Sequence, residues 1–269
     1  MQYEPIKKSL GRVFSGSLFM RRNLYFLLDL LLLRTWHVKR ALRKISREFP
    51  GKANVLDAGS GLGQYTWRMS RMNEQWQIKA VDIDSGHIED CKVFFSKSGL
   101  SARVSFQALD LTSLTDKDNY NLILSVDVME HIEEDVLVFR KFFNALKSGG
   151  YLLISTPSDK GGSDVHNGQE KSFIDEHVRD GYSIEDITAK LSGAGFTDVK
   201  ARYTYGKPGN ISWRLSMKYP VKMLNASYLF FIILPLYYVI FFPVSVILNI
   251  FDLLLEHKTG TGLLVTARK

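Results

Sequence analysis

Short apolar runs alternate with segments of helical spacing from residue 53 to residue 157. The apolar runs read as buried strands and occupy residues 53–58, 76–83, 103–109, 120–126 and 149–157. The segments of helical spacing occupy residues 63–72, 87–98 and 134–147. This alternation predicts a parallel sheet with helices on both faces. Further along, the pattern predicts a helix at 183–196 and strands at 197–206 and 260–269.

The N-terminal segment carries all of the excess positive charge. The chain has a formal net charge of +7, whereas residues 1–48 alone hold eleven basic and three acidic residues, a net charge of +8. From Arg22 onward, the apolar positions recur at helical spacing: Leu24, Leu28, Leu31, Val38, Leu42 and Ile45. This spacing predicts a basic amphipathic helix. Such a helix either lies on a membrane surface or packs on the domain with a solvated cationic side.

A glycine-rich loop follows the first strand in the stretch DAGSGLG. Glycines at 59, 61 and 63 permit a tight turn and the close approach of a ligand to the backbone. The helix after the loop offers its N-terminal amides to the same ligand. A dinucleotide fingerprint would require its third glycine at position 64, which is Gln64. The spacing therefore disfavours NAD.

The stretch VLDAGSGLG resembles the first motif of class I S-adenosylmethionine-dependent methyltransferases. The resemblance covers roughly residues 50–206 and the last strand, and LILSVDVMEHI is similar to the branch that includes ubiquinone-pathway O-methyltransferases. It implies a Rossmann-like seven-stranded sheet and S-adenosylmethionine as cofactor. The cofactor-binding residues that it implies are Asp57 and Gly59, Gly61 and Gly63 in the loop, Asp82 for the ribose and Asp110 for the adenine. Taken singly, each aspartate would read as a helix cap or turn residue.

Two histidines are candidates for a catalytic base. His131 lies just beyond the fourth strand, at the ligand-binding edge of the sheet. His177 lies in the long loop after the fifth strand, where substrate contacts are common, and ranks slightly first. Either imidazole could accept a proton at neutral pH. The alternative is that each histidine only orders its own loop.

A metal site is a weaker interpretation of the segment after the fourth strand. Asp127, Glu130 and His131 are spaced so that one helical turn would gather them on one side. Some relatives with Glu in the first position bind a divalent ion here, but this chain has Asp, and the same stretch is common in relatives with no known metal. No metal is predicted.

An apolar run from Met223 to Phe251 contains no Asp, Glu, Lys, Arg or His. As a single helix it would measure about 43 Å, which exceeds the hydrocarbon core of about 30 Å. The resemblance, however, makes the sixth and seventh strands antiparallel neighbours, so the run is an insertion within one sheet and does not span. Pro235 and Pro243 favour two short helices that dip into one leaflet and return. The flanking Lys218, Lys222 and Lys258 suit an anionic surface.

These observations predict four segments: a basic helical arm (1–48), a methyltransferase core (49–206), an apolar membrane-associating insertion (207–258) and the final core strand (259–269). The predicted function is methylation, on oxygen or carbon, of a lipophilic or membrane-associated small molecule by a cytoplasmic protein on the inner membrane face. A non-catalytic cofactor-binding protein and a nucleic-acid methyltransferase are alternatives, although no nucleic-acid module is evident. The insertion could instead cover the active site or form a homodimer interface.

Overall fold

Seven strands form one mixed sheet at the centre of the protein, in the order β3-β2-β1-β4-β5-β7-β6. The structure is a computed structural model and describes residues 17–161, 178–227 and 229–269. The strands are β1 (Ala53–Ala58), β2 (Trp76–Asp82), β3 (Val104–Ala108), β4 (Tyr120–Val126), β5 (Leu146–Pro157), β6 (Thr197–Thr204) and β7 (Gly262–Arg268). Strands β1 to β5 are parallel, and β7 is antiparallel to both β5 and β6. The predicted sheet and the pairing of its last two strands are confirmed.

Helices cover both faces of this sheet. They are α1 (Leu18–Leu31), α2 (Leu33–Ser46), α3 (Gln64–Met72), α4 (Ser85–Lys97), α5 (Asp135–Ala145), α6 (Ile184–Gly193), α7 (Lys207–Trp213), α8 (Tyr219–Ala226) and α9 (Phe230–Leu254). Apolar side chains of α2, α3 and α4 share one core cluster with the sheet, and those of α5 and α6 share the other. Apolar residues on both sides of each strand explain the nearly continuous apolar runs in the sequence.

The N-terminal segment forms two helices, so the prediction of one helix from Arg22 is wrong. Leu32 separates them with an extended backbone, φ −89° and ψ 109°. In α2, Val38 and Leu42 are fully buried against the sheet. The apolar face of α2 therefore packs on the domain and is not available to a membrane.

The insertion between β6 and β7 forms a helical hairpin, residues 207–254. Its first arm consists of α7, a π-helical turn (Arg214–Lys218) and α8, and its second arm is α9. The expectation of two short helices is wrong, because α9 continues through both Pro235 and Pro243. Both prolines lie on the exposed side of α9, away from the first arm. Contacts on the inner side hold the helix together despite the lost backbone hydrogen bonds.

Tyrosines on the inner side of α9 fasten it to the π-helical turn. Tyr237 donates a hydrogen bond to the carbonyl of Leu215 (2.8 Å), and Tyr238 donates to that of Ser216 (2.9 Å). Nearer the sheet, Ser212 of α7 donates to the carbonyl of Ser245 (3.0 Å). Among the residues that the structure describes, α9 alone has the length and composition of a membrane-crossing helix. The hairpin returns the chain to the sheet edge that it left.

Asp252 fixes the base of the hairpin to the rest of the fold. Its fully buried carboxylate accepts hydrogen bonds from His37 Nε2 (2.9 Å) and from the amides of Tyr205 (3.1 Å) and Gly209 (3.0 Å). His257 Nε2 lies 3.1 Å from the same carboxylate. Four elements of the chain thus converge on one side chain.

Candidate active site

The glycine loop lies between the carboxyl end of β1 and the start of α3. Gly59, Gly61 and Gly63 all have positive φ, at 83°, 49° and 77°. A Cβ on Gly59 would overlap the side chain of Val128, and a Cβ on Gly63 would lie 3.0 Å from Cys91 Sγ. At Gly61, by contrast, no described atom would lie within 4 Å of an added Cβ. Gly61 is therefore the position at which a ligand can approach the backbone, whereas the outer two glycines are required for packing.

Asp82 lies beside this loop because β1 and β2 are parallel neighbours. Its Oδ2 accepts a hydrogen bond from the amide of Gly61 (2.7 Å), and its Oδ1 accepts one from the amide of Asp84 (2.9 Å). The carboxylate is half-buried at the open end of the loop. This placement fits the predicted contact with ribose hydroxyls, and that contact remains a prediction.

Asp57 lies under the loop and does not line it. It is buried and accepts a short hydrogen bond from Thr66 Oγ1 (2.5 Å) in the first turn of α3. Burial raises the pKa of this carboxyl to about 7; the Thr66 hydrogen bond opposes the rise, and nearby Asp82 adds to it. Asp57 therefore holds α3 against β1.

Asp110 and Ile83 occupy neighbouring strand ends on the same edge. Asp110 is exposed and caps a 3₁₀ turn (Leu111–Ser113), with its Oδ1 accepting from the amide of Thr112 (2.8 Å). Ile83 follows Asp82 directly and is 77% exposed. An exposed isoleucine beside Asp82 offers an apolar surface to a flat ring. From the strand pattern alone, Ile83 could not be distinguished from a buried strand residue.

The segment after β4 does not form the helical turn on which the metal interpretation depended. Asp127 has a positive φ of 52°, and a 3₁₀ turn follows at Met129–His131. Glu130 is buried and accepts from Thr156 Oγ1 (3.0 Å), whereas His131 is exposed. Burial is the main cause of the raised pKa of Glu130. Among the described residues, no group of three or more potential ligands is placed to hold a metal ion.

Arg34 of α2 closes the site from the N-terminal side. Its guanidinium forms an ion pair with Asp127, and its amide donates to the hydroxyl of Tyr205 (2.9 Å) at the end of β6. Sequence reasoning missed Arg34 because it treated the N-terminal segment as a separate arm. The signal available was a single cation directly after the apolar run of residues 30–33. His177, the other predicted base, lies outside the described residues.

Helix α1 holds the glycine loop in place. Arg21 is buried and donates to the carbonyl of Leu62 (2.9 Å), and the hydroxyl of Tyr25 donates to the same oxygen (2.5 Å). Asp29 accepts from the side-chain amide of Gln64 (2.8 Å) at the start of α3. The N-terminal helices are thus part of the site wall.

The polar groups of the glycine loop also fit a bound cofactor. Ser60 Oγ is buried in the loop and has no hydrogen-bond partner among the described residues. Together with the open space at Gly61 and the carboxylate of Asp82, it offers an unused polar group to a ligand that carries hydroxyl and charged groups. These are the residues that would hold S-adenosylmethionine, whose sulfonium supplies the methyl group when the cofactor is bound.

Comparisons with known proteins agree with this geometry. A family model described as a methyltransferase domain matches residues 51–193, more than half of the chain. The chain is 34% identical over 174 residues to phosphoethanolamine N-methyltransferase 1 of Arabidopsis thaliana, covering 58% of this chain and 32% of that protein. It is 24% identical over 107 residues to the ubiquinone biosynthesis O-methyltransferase of Xanthomonas axonopodis pv. citri, covering 40% of this chain and 44% of that one. The chain thus spans less than half of the length of either relative.

A solved structure of phosphoethanolamine N-methyltransferase 2 from Haemonchus contortus, in complex with S-adenosyl-L-methionine, shares the fold. Its TM-score is 0.58 at 17% identity, and the alignment covers 90% of this chain and 59% of that one. The predicted family and cofactor are confirmed. The chain belongs to the methyltransferase-domain family, with the class I fold that uses S-adenosylmethionine.

Proposed function

We propose that this protein transfers the methyl group of S-adenosylmethionine to a lipophilic small molecule presented at a membrane surface, on oxygen or carbon. The observation that carries the proposal is the polarity of α9. Its polar side chains all face inward: Tyr237, Tyr238, Ser245, Asn249 and Asp252. Its exposed side chains are all apolar. A helix on the surface of a water-soluble protein has the opposite arrangement.

The outer face of α9 is too large to be left in water. Ile232, Val239 and Leu254 are 79%, 72% and 65% exposed, and they mark a face that runs the length of the helix. Burying one such side chain contributes about 1.5–3 kcal/mol, so several together hold the protein on a bilayer even after ordering costs. Because the hairpin leaves and rejoins one edge of the sheet, it enters a membrane from the side on which the core lies. A lid or a dimer interface would also cover this face, and the flotation experiment below separates these cases.

The chemistry assigned to the site is mainly positioning. Methyl transfer from a sulfonium is an in-line displacement, so holding donor and acceptor in line supplies most of the rate. In this chain the loop and Asp82 would hold the cofactor, while Arg34, Asp127 and Tyr205 form the wall toward the hairpin. His131 at the same edge would accept a proton from a hydroxyl or acidic carbon. The two curated relatives act, by their names, on phosphoethanolamine and in ubiquinone biosynthesis, which supports an acceptor connected with lipids.

A labelling experiment tests the proposal. The purified protein would be incubated with methyl-labelled S-adenosylmethionine and either a total lipid extract or a water-soluble metabolite fraction that includes phosphoethanolamine. We expect label in the lipid fraction, and none with the Asp82→Ala variant. Label confined to phosphoethanolamine would refute the lipophilic acceptor but not the methyltransferase. Cofactor binding without turnover on either fraction would favour the non-catalytic alternative.

Flotation with vesicles tests the membrane surface separately. We expect the full chain to float with the vesicles and a variant with residues 210–251 replaced by a Gly-Ser link to stay behind as a soluble protein that binds cofactor. The link can be short, because Gly209 and Asp252 are already hydrogen-bonded (3.0 Å). A full chain that remains monomeric and does not float would refute membrane association, and a dimer that dissociates on removal of the hairpin would assign the face to a second copy.

A further inference from the structure

A groove between the N-terminal helices and the hairpin carries an excess of positive charge. It is lined by Phe26, Asp29, Leu30, Trp36, Lys39, Arg40, Arg43, Arg68 and Leu253. The open space in it is about 770 Å³, including solvent at its mouth. Four cations and one carboxylate thus share a groove with four apolar side chains. This combination is unlike a solvated charged face, because the charges lie against an apolar wall.

The cations in this groove are held close together by the fold. Lys39 Nζ lies 2.9 Å from Asp29 Oδ2, and Arg68 of α3 forms an ion pair with the same carboxylate. Burial lowers the pKa of Lys39, and the charges of Arg68 and Arg43 lower it further, although Asp29 opposes them. One carboxylate therefore leaves the local positive charge largely uncompensated, and an additional anion would be favoured.

The groove adjoins the apolar face of the hairpin. Arg40 donates a hydrogen bond to the carbonyl of Leu253, near the carboxyl end of α9. Phe251 and Leu254, on either side of Leu253, are exposed, and Phe26 of α1 is exposed at the groove itself. Cations beside exposed apolar side chains match the boundary between phosphate groups and acyl chains in a bilayer.

We propose that this groove binds the phosphate of an anionic phospholipid headgroup and so orients the protein on the leaflet that the hairpin enters. The inference rests on the membrane association proposed above, but not on the acceptor or on turnover. Arg43 is the most suitable probe, since it is exposed in the last turn of α2 and has no role in the site. Arg140 of α5 is an exposed arginine on the opposite face of the sheet and provides a matched control.

The test compares binding of the full chain to phosphatidylcholine vesicles with and without about a third phosphatidylglycerol. Reversing the charge in Arg43→Glu should weaken binding to the anionic vesicles by about 30-fold, since each cation near such a surface contributes about 1 kcal/mol. Arg43→Gln removes one unit of charge and not two, so it should weaken binding to the anionic vesicles by about the square root of that factor. Binding to neutral vesicles should not change in either variant, and Arg140→Glu should behave as the unaltered protein does.

Three results would overturn the inference. Equal binding of the unaltered protein to both kinds of vesicle would show that no anionic lipid is preferred. An equal loss in Arg43→Glu and Arg140→Glu would show diffuse attraction by net charge and no groove. Calorimetric binding of inorganic phosphate as tight as that of the anionic vesicles, and lost in Arg43→Glu, would assign the groove to a free phosphate. Cofactor binding measured on each variant shows that the fold is intact, and failure of methylation would leave these outcomes unaffected.

Discussion

Replacing Asp252 by asparagine tests the conclusion that one carboxylate anchors the hairpin. Oδ2 of Asp252 accepts from His37 Nε2 and the Tyr205 amide, and Oδ1 accepts from the Gly209 amide. His257 Nε2 lies 3.1 Å from Oδ1 but hydrogen-bonds to the backbone carbonyl of Asp252 (2.9 Å). The substitution keeps the shape but exchanges one acceptor oxygen for an NH₂ donor. Whichever way the amide turns, its NH₂ group then faces at least one N–H donor.

The cost follows from the burial of this group. His37 Nδ1 is 3.2 Å from Arg202 Nη2, which can only donate, so the neutral His37 ring carries its proton on Nε2 and donates it to Asp252. Hydrogen bonds to a charged group contribute about 1.5–3 kcal/mol each, so losing one or two costs about 1.5–6 kcal/mol. At about 2 °C per kcal/mol for a chain of this size, Tm should fall by about 3–12 °C.

Thermal unfolding at neutral pH, in a non-ionic detergent that covers α9, is the appropriate assay. Asp198→Asn provides the control, since its exposed carboxylate pairs only with Lys200 among the described contacts and such pairs contribute little. A fall in Tm of less than about 2 °C for Asp252→Asn would contradict the anchoring role. Limited proteolysis should also cut the hairpin of this variant faster than that of the control.

The pH dependence of the same variant has a definite sign. Burial raises the pKa of Asp252, but the hydrogen bond from His37 and the charges of His257 and His37 outweigh burial, so the pKa is lowered. A lowered carboxyl pKa stabilises the fold above the unfolded value of about 3.9, and that stability is lost as the pH falls through the folded pKa. Asp252→Asn should therefore lose less stability than the unaltered protein between pH 5 and acid conditions of about pH 3.

Three further substitutions and a deletion test the site and the hairpin. Asp82→Ala should weaken S-adenosylmethionine binding by about 10- to 100-fold, the loss of a charged acceptor; calorimetry showing an unchanged Kd, or tight NADH binding, would contradict the cofactor assignment. His131→Ala should lower kcat by about 10²-fold or more with the true acceptor; full turnover would leave positioning as the only chemistry. Gly59→Ala should destabilise the protein by about 2 kcal/mol or more, since the new Cβ meets Val128 at a positive φ; chemical denaturation measures this, and a neutral effect would show that the loop can shift. Exchange of the hairpin for a Gly-Ser link should abolish turnover on a membrane-borne acceptor while cofactor binding persists, and retained turnover would separate the hairpin from substrate delivery.

The parts of the fold that sequence predicted well were those with a local signal. Continuous or alternating apolar positions located all seven strands, and the glycine spacing located the loop between β1 and α3. The pairing of β6 with β7 followed from the resemblance to a known family and not from the run itself. The same resemblance argues against a single crossing by the apolar run, which stays a prediction.

The errors have a common physical origin in long-range packing. Proline predicts a helix break from local geometry, yet Pro235 and Pro243 lie inside α9 because contacts on its inner side hold the helix together. Leu32 carries no breaking signal, yet the chain turns there to place α2 on the sheet while α1 contacts the glycine loop. Arg34 could not be assigned to the site, since its partner Asp127 is distant in sequence. Such contacts are determined by the tertiary fold.

Helix α2 connects the two surfaces proposed here and limits where the acceptor can lie. Arg34 in its first turn forms part of the site wall, and Arg43 in its last turn lies in the cationic groove. Nine residues of helix separate the two, a distance of about 13 Å at 1.5 Å per residue. If the groove holds a lipid phosphate, the reacting atom of the acceptor must lie within about that distance of the phosphate level, and the headgroup region of a bilayer is only about 5–8 Å thick on each side. A reactive group near the bilayer midplane, more than about 5–8 Å inside the hydrocarbon core, is then out of range unless it rises toward the interface. The acceptor that fits has its reactive group at the polar end of an apolar body, so shortening the polar end of a candidate acceptor should lower kcat/KM more than shortening its apolar tail.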